Sequence, residues 1–184
     1  TTIIESGIEA ADELRMWLKG DPSRSLCSLI ALYPAAAEPP RIERLVIREN
    51  DAVREPYEVE DLAAVIRDEV NRSHDERRYF RHTVSFQIPA THVYVKEAGD
   101  FIEGLLEQSG LDEKSVASVT VAAREALDNA SRHGNMSLST KKTSVEYHVD
   151  NQKVTITVSD EGEGFDTRKY ISEGVDSDAV QVSR

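Results

Sequence analysis

The stretch REALDNASRHG, residues 124–134, carries the most informative pattern in this sequence. It closes a segment, residues 115–133, in which small apolar residues recur at helical spacing: Val116, Val119, Ala123, Ala126 and Ala130. That spacing predicts an amphipathic helix that packs closely on a sheet. Asp112 or Ser115 is a suitable N-cap, and Gly134-Asn135 is a natural stop.

Polar side chains follow a second face of the same predicted helix. Glu125 and Asn129 are spaced i,i+4, and Arg132 and His133 come on the next turn. A carboxylate can orient or deprotonate a nucleophile, an amide oxygen is a hard ligand for Mg²⁺, and a guanidinium pairs with phosphate oxygens. This face therefore indicates phosphate chemistry, although a solvated helix face without a ligand has the same composition.

A second motif, DEGEGFD at residues 160–166, follows the last predicted strand. Gly162 and Gly164 allow the backbone to approach a ligand closely, and Asp160 can accept a hydrogen bond from an exocyclic amine. The alternative is an acidic surface loop. A calcium loop is disfavoured because the alternating oxygen ligands and the closing bidentate Glu are absent.

Strand and helix patterns around these motifs predict an α+β fold. Residues 83–88 alternate as a half-buried strand, residues 93–108 have a helical apolar stripe, and residues 145–149 and 154–158 form a hairpin around Asp150-Asn151-Gln152. Two helices on one face of a mainly antiparallel sheet are expected.

Together the two motifs are more specific than either alone. A Glu-x-x-x-Asn helix, a hairpin and then Asp-x-Gly-x-Gly-Phe resemble the histidine-kinase-like (GHKL, Bergerat-type) ATPase fold, an α/β sandwich. Residues 124–134 are most similar to the bacterial anti-sigma-factor serine/threonine kinases. The resemblance covers residues 79–170, over half of the chain.

The resemblance implies ATP and Mg²⁺ as cofactors and assigns a role to each site residue. Glu125 would be the general base or the carboxylate that orients it, and Asn129 would hold Mg²⁺. Arg132 would meet the phosphates, and His133 would lie near ribose or phosphate. Asp160 would read the adenine amine, with the glycines Gly162 and Gly164 shaping the adenine pocket.

The sequence departs from the family in its last part. Members carry a second Gly-x-Gly box after a flexible lid, and residues 170–184 contain none. The expectation is that the lid and the C-terminal part are missing from this sequence.

The first part of the chain predicts a separate module. Residues 8–18 read as a helix, 26–32 and 44–47 as strands and 60–70 as a helix, which is a parallel α/β pattern. It resembles the second half of a response-regulator receiver, in partial or degenerate form, because Glu55 stands where the family has Lys and the phosphorylated Asp is missing. An unrelated α/β extension is the alternative. The predicted organisation is a receiver-like module at 1–72, a linker at 73–80 and the ATPase domain at 81–184. The polar stretch at 71–78 is interpreted as a linker or as the end of a helix at the domain boundary, and a solvated helix turn within one domain is the alternative.

Composition limits the remaining possibilities. The 184 residues are 39% hydrophobic with a net charge of −12, which excludes collagen-like and fully disordered chains and disfavours general nucleic-acid or membrane binding. A single cysteine, Cys27, and the lack of a secretory leader predict a cytoplasmic protein. Trp17 and Cys27 are expected in the core, and His74 and His82 are expected to face solvent.

The function that this sequence favours is an ATP-binding regulatory kinase of the anti-sigma type. It would phosphorylate Ser or Thr on a partner protein with Mg-ATP, bind a sigma factor or its antagonist, and possess the capacity to form a homodimer. A non-catalytic partner-binding scaffold with a degenerate ATPase-like fold is the alternative. The catalytic part of a two-component histidine kinase is less favoured, because no helix hairpin carries a phosphoacceptor His.

Overall fold

The computed structural model describes residues 1–5, 10–36 and 42–164. In these residues seven strands form two sheets. The helices are α1 (Ala11–Lys19), α2 (Val59–Tyr79), α3 (His92–Glu107) and α4 (Glu113–Asn129), and a π-helical turn, Ala130–Gly134, extends α4. No helix within the described ranges is both long and apolar enough to cross a bilayer.

The larger sheet is antiparallel, in the order β3-β5-β6-β7. Its strands are β3 (Val46–Ile47), β5 (Phe80–Pro89), β6 (Lys142–Asp150) and β7 (Val154–Ser159). The alternation predicted from the sequence is observed, with Val84, Phe86 and Ile88 buried on the face that α3 and α4 cover. The α+β sandwich with helices on one face is therefore confirmed.

The helix that carries the first motif, α4, is capped at its start and packs one face on the sheet. At its start the Asp112 carboxylate accepts hydrogen bonds from the backbone N–H of Ser115, at 3.1 Å, and from the Ser115 hydroxyl, at 2.6 Å. This confirms the predicted N-cap. Ala123, Leu127 and Ala130 are buried against the sheet, so Glu125 and Asn129 are left on the outer surface.

The smaller sheet is parallel, in the order β1-β2-β4, with β1 (Thr2–Glu5), β2 (Leu29–Tyr33) and β4 (Asp51–Arg54). The sequence predicted β2 but missed β1 and β4, which are four residues each. The predicted strand at 44–47 is real but shorter, and its place was wrong. As β3 it pairs antiparallel with β5, Ile47 opposite Phe86, in the larger sheet.

Of the two interpretations of residues 73–80, a linker or the end of a helix, the structure agrees with the second. Residues 73–79 continue α2, and Phe80 opens β5. Arg72 forms ion pairs with Glu69 and Glu76 on the same helix, and the Ser73 hydroxyl donates to the Leu26 carbonyl oxygen at 2.8 Å. Polar residues without apolar periodicity were read as a break, but these contacts keep the segment helical. The limits of the domains stay a prediction.

Two single-residue predictions were wrong. Trp17 is 56% exposed, with the Arg24 guanidinium over its ring at 4.0 Å, because α1 turns Ala11 and Leu18 inward instead. His82 is 1% exposed, and its ring meets Tyr147 edge to face. The burial of His82 follows from its inward register on β5. Cys27 is half-buried, and His74 is exposed as predicted.

Candidate functional site

The outer face of α4 brings two of the predicted site residues together. The Asn129 side-chain Nδ2 donates a hydrogen bond to Glu125 Oε1 at 3.1 Å. The amide oxygen, Oδ1, accepts no hydrogen bond from a described residue. A carboxylate therefore orients an amide whose oxygen is free for a hard cation.

The π-helical turn changes which way the next side chains lie. Ala130 and Ser131 are buried, whereas Arg132 and His133 are exposed. Arg132 forms an ion pair with Asp128, one turn back, at 3.1 Å. Because its side chain is mostly exposed, the pair is weak and easily exchanged for another anion.

The end of this turn touches the second motif. A Cβ built on Gly134 would lie 2.2 Å from the carboxyl carbon of Asp160, and one on Gly162 would lie 2.4 Å from the Gly134 carbonyl oxygen. Both positions therefore need glycine so that the Asp160–Gly162 segment can lie on the helix end. The backbone N–H of Gly162 donates to Asp160 Oδ1 at 2.8 Å. Among the described residues, none donates to the second carboxylate oxygen, Oδ2.

Gly164 also requires glycine, because its φ of +78° lies in the left-handed region. The last residues of the quoted motif, Phe165 and Asp166, and the segment searched for a second glycine box lie outside the described residues. The two motifs are thus joined at Gly134, while Glu125 and Asn129 lie on the same helix five or more residues earlier.

Sequence reasoning missed one residue of this site. Asn135 was read only as part of a helix stop, but its side chain is completely buried. Its Nδ2 donates to the Lys142 carbonyl oxygen at 3.0 Å and to Thr143 Oγ1 at 3.1 Å, and its Oδ1 accepts from the Glu161 N–H at 2.9 Å. The only signal in the sequence was an amide directly after the glycine.

A network of charges holds α4 against α3 just before Glu125. The Arg124 guanidinium donates to Asp100 at 2.7 Å and to Glu103 at 2.9 Å, and it covers Gly99, where a Cβ would be 2.8 Å away. These hydrogen bonds raise the pKa of Arg124, and the bonds from Lys96 and Arg124 lower the pKa of Asp100. The residue next to Glu125 therefore fixes the rotation of the helix about its axis.

Of two cavities, one lies at the end of α4 and the other lies away from it, and neither is lined by Glu125, Asn129 or Asp160. One of about 330 Å³ lies beside the end of α4 and is lined by His92, Asp128, Ser131, Arg132 and Ser137. The other, of about 500 Å³, lies between α1 and β3. In the part of the chain that the structure describes, no group of three or more His, Cys, Asp or Glu side chains could hold a metal ion. Mg²⁺ held by one amide, waters and phosphates does not need such a group.

Comparison with known proteins agrees with this geometry. The family described as the histidine kinase-like ATPase domain matches residues 88–180, half of the chain. This chain belongs to that family. The match begins within β5 and includes α4 and the Asp160 loop, so the resemblance drawn from the two motifs is confirmed. Residues 1–87 lie outside the match, and the receiver resemblance stays a prediction.

Individual relatives point to the serine-kinase branch. A serine-protein kinase RsbW from Listeria innocua serovar 6a is 30% identical over 88 residues, which is 47% of this chain and 56% of that protein. A serine-protein kinase RsbW from Listeria monocytogenes serotype 4a is 28% identical over the same length. The chain therefore spans about half the length of the curated relatives it matches.

Proposed function

We propose that this chain binds Mg-ATP at the outer face of α4 and the Asp160 loop, and phosphorylates Ser or Thr of a partner protein. One observation is the main support for this proposal: the Asp160 loop contacts the end of the helix that bears Glu125 and Asn129. Asp160 lies against Gly134, and Glu125 and Asn129 follow the same helix towards its start. Family membership supports nucleotide binding, and the relatives support a serine kinase.

Two side-chain oxygen atoms without a described hydrogen-bond partner are suited to bind Mg²⁺ and the adenine base. Asn129 Oδ1 is a hard oxygen without a described partner, and Asp160 Oδ2 is an acceptor suited to an exocyclic amine. When bound, Mg²⁺ would neutralise negative charge on the transferred phosphoryl group. Asn129 would hold that ion, and Glu125 would keep the amide turned towards it.

The other assigned residues have supporting roles in the proposal. Glu125 would also accept or orient the proton of the attacking hydroxyl. Arg132 would exchange its ion pair with Asp128 for a phosphate oxygen, and His133, exposed on the same turn, would lie near ribose or phosphate. Gly162 and Gly164 would shape the adenine pocket beside Asp160.

The proposal extends to organisation and partners. Residues 81–184 would be the catalytic domain, residues 1–72 a receiver-like module, and 73–80 the helical connection between them. The partner would be a sigma factor or its antagonist, the protein would act in the cytoplasm, and it would form a homodimer. The parallel β1-β2-β4 sheet supports the receiver-like module. The acidic net charge supports a protein partner rather than a nucleic acid.

Calorimetric titration with ADP, with and without Mg²⁺, tests this function. We expect binding that strengthens with Mg²⁺, and in Asn129→Ala we expect the Mg²⁺-dependent part to fall at least about tenfold, because the ion loses the amide oxygen proposed to hold it. Asn71→Ala, which changes an exposed Asn on α2, is the matched control and should bind as the unchanged protein does. Absence of binding at high nucleotide concentration would favour the non-catalytic scaffold.

A transfer assay tests the kinase step separately. Labelled phosphate from ATP should appear on Ser or Thr of a candidate antagonist protein, and Glu125→Gln should abolish transfer while ADP still binds. Glu125→Gln keeps the side-chain oxygen that accepts from Asn129, so binding should be preserved. Equal transfer by the variant would remove Glu125 from catalysis.

A further inference from the structure

Asn135 ties three elements together at the end of α4. Its completely buried amide bonds to the start of β6 through Lys142 and Thr143, and to the Asp160 loop through the Glu161 N–H. We propose that Asn135 is a positioning residue that holds the Asp160 carboxylate in place for the nucleotide base before any nucleotide arrives. The inference rests on the proposed function and adds to it a residue that none of the family motifs includes.

The hydrogen bonds around Asn135 form a closed ring. Asn135 Nδ2 donates to the Lys142 carbonyl oxygen at 3.0 Å, the Lys142 N–H donates to Glu161 Oε2 at 3.0 Å, and the Glu161 N–H donates to Asn135 Oδ1 at 2.9 Å. The side chain at 135 must donate to one backbone group and accept from another, and the short planar amide of Asn presents both atoms in this geometry. Leu would replace neither bond and ionised Asp has no donor, so each would leave at least one partly buried backbone group without its partner.

The ring determines where Asp160 lies because Glu161 is its neighbour in the chain. The Asp160 carboxylate makes one described hydrogen bond, from the Gly162 N–H, and that bond moves with the loop. Contact with Gly134 limits how close the loop can come but does not hold it there. Beyond the pairing of β7 with β6, which ends at Ser159, the two hydrogen bonds of Glu161 therefore hold the loop at the helix end: its N–H donates to Asn135, and its carboxylate accepts from the Lys142 N–H.

Discrimination between adenine and hypoxanthine gives a readout that a structural role alone would not change. ADP presents an exocyclic amine, and IDP presents a carbonyl oxygen at the same position. A fixed carboxylate should therefore favour ADP. In Asn135→Ala we expect the ratio of ADP to IDP affinity to fall by about tenfold, since the loop loses a hydrogen bond to a buried group. Titration calorimetry of both nucleotides with Mg²⁺ measures the ratio.

A matched variant separates positioning from stability. Asn50→Ala removes another amide oxygen that accepts a backbone N–H, that of Leu29 at 2.8 Å, but in the parallel sheet. It should leave the ADP to IDP ratio unchanged. If Asn135→Ala lowers both affinities equally, as Asn50→Ala would through loss of folded protein, the positioning role is overturned.

Amide hydrogen exchange tests the ring without any nucleotide. The Glu161 N–H should exchange slowly in the unchanged protein and at least about tenfold faster in Asn135→Ala. Fast exchange at Glu161 in the unchanged protein would overturn the inference even where ADP binds. If the Glu161 N–H exchanges slowly but no nucleotide binds, the proposed function is refuted, and so is the role of the ring in positioning Asp160 for a nucleotide.

A surface variant keeps the test decisive if Asn135→Ala does not fold. Glu161→Ala removes the exposed carboxylate that accepts the Lys142 N–H and retains the backbone N–H that Asn135 holds. We expect a smaller fall in the ADP to IDP ratio, about threefold, because one of the three bonds of the ring is lost. An unchanged ratio in this variant would overturn the inference.

Discussion

The carboxyl group of Asp160 occupies the space that a Cβ on Gly134 would need. The two would be 2.2 Å apart, closer than any packing tolerates. Gly134 ends the helix that carries Glu125 and Asn129, and Asp160 begins the loop after β7. Glycine at position 134 is therefore what allows the two halves of the proposed nucleotide site to touch.

Gly134→Ala should displace the Asp160 loop and weaken ADP binding by at least about tenfold, because the new methyl group overlaps the carboxyl group. The helical conformation itself tolerates alanine at this position, since its φ is not in the left-handed region. Titration calorimetry with ADP measures the effect, and circular dichroism checks that the fold is retained.

Gly104→Ala is the control for this substitution. Gly104 lies in α3, and a Cβ there would meet nothing within 4 Å. Alanine is the better helix former by about 1 kcal/mol, so this variant should be slightly more stable and bind ADP normally.

If Gly134→Ala binds ADP as tightly as the unchanged protein does, Asp160 does not read the base.

Protonation of His82 should destabilise the folded protein. Its Nε2 faces the Lys19 carbonyl oxygen at 2.9 Å, so Nε2–H donates and the buried Nδ1 has no described partner. Burial lowers the pKa of His82 below its usual 6.5. The unfolded chain therefore binds the proton first, and the free energy of unfolding should fall as pH drops below about 6.5.

Denaturant unfolding at several pH values measures this dependence. In His82→Phe the loss of stability between neutral and mildly acidic pH should be smaller than in the unchanged protein. His74→Gln, a change on the exposed side of α2, should retain the original slope. An unchanged slope in His82→Phe would contradict the assignment.

The first module and the larger sheet should unfold together. Leu45 and Ile47 belong to the core of the larger sheet, although they precede α2 in the chain. Trp17, the only tryptophan, lies in α1 and lines a cavity with both residues, so its fluorescence reports on this junction. We expect denaturation curves from fluorescence and from circular dichroism to coincide.

Ile47→Ala should shift both curves together, by about 2–4 kcal/mol, because it leaves a cavity in the core of the larger sheet at the strand that contacts α1. Val59→Ala, on an exposed side chain at the start of α2, is the control and should change stability little. Two separate transitions would instead support independent domains at 1–72 and 81–184.

Tyr147 should titrate late and stabilise the core. Its hydroxyl donates to the Leu105 carbonyl oxygen at 2.9 Å, and burial raises its pKa to about 12. Tyr147→Phe should lower the free energy of unfolding by about 1 kcal/mol and remove the last component of an ultraviolet alkaline titration. Tyr79→Phe, at an exposed position, should leave stability unchanged.

Much of the larger sheet could be predicted because its signals are local. The alternation in β5, β6 and β7 and the helical spacing of α4 depend on which residues face the core, and neighbours in the chain already reveal this. β1 and β4 were missed because four residues carry too little periodicity. β3 was placed in the wrong sheet because strand pairing is a contact distant in sequence.

Residue type and spacing were enough to predict the family, the helix bearing Glu125 and Asn129, and a glycine-containing loop at Asp160. These features could be predicted because they depend on residues that are neighbours in the chain. Only the tertiary structure showed that Asn135 bonds to the Asp160 loop, that His82 is buried against Tyr147, and that Trp17 is exposed. Each of these depends on which distant segment covers a side chain, and no local pattern in a chain encodes that.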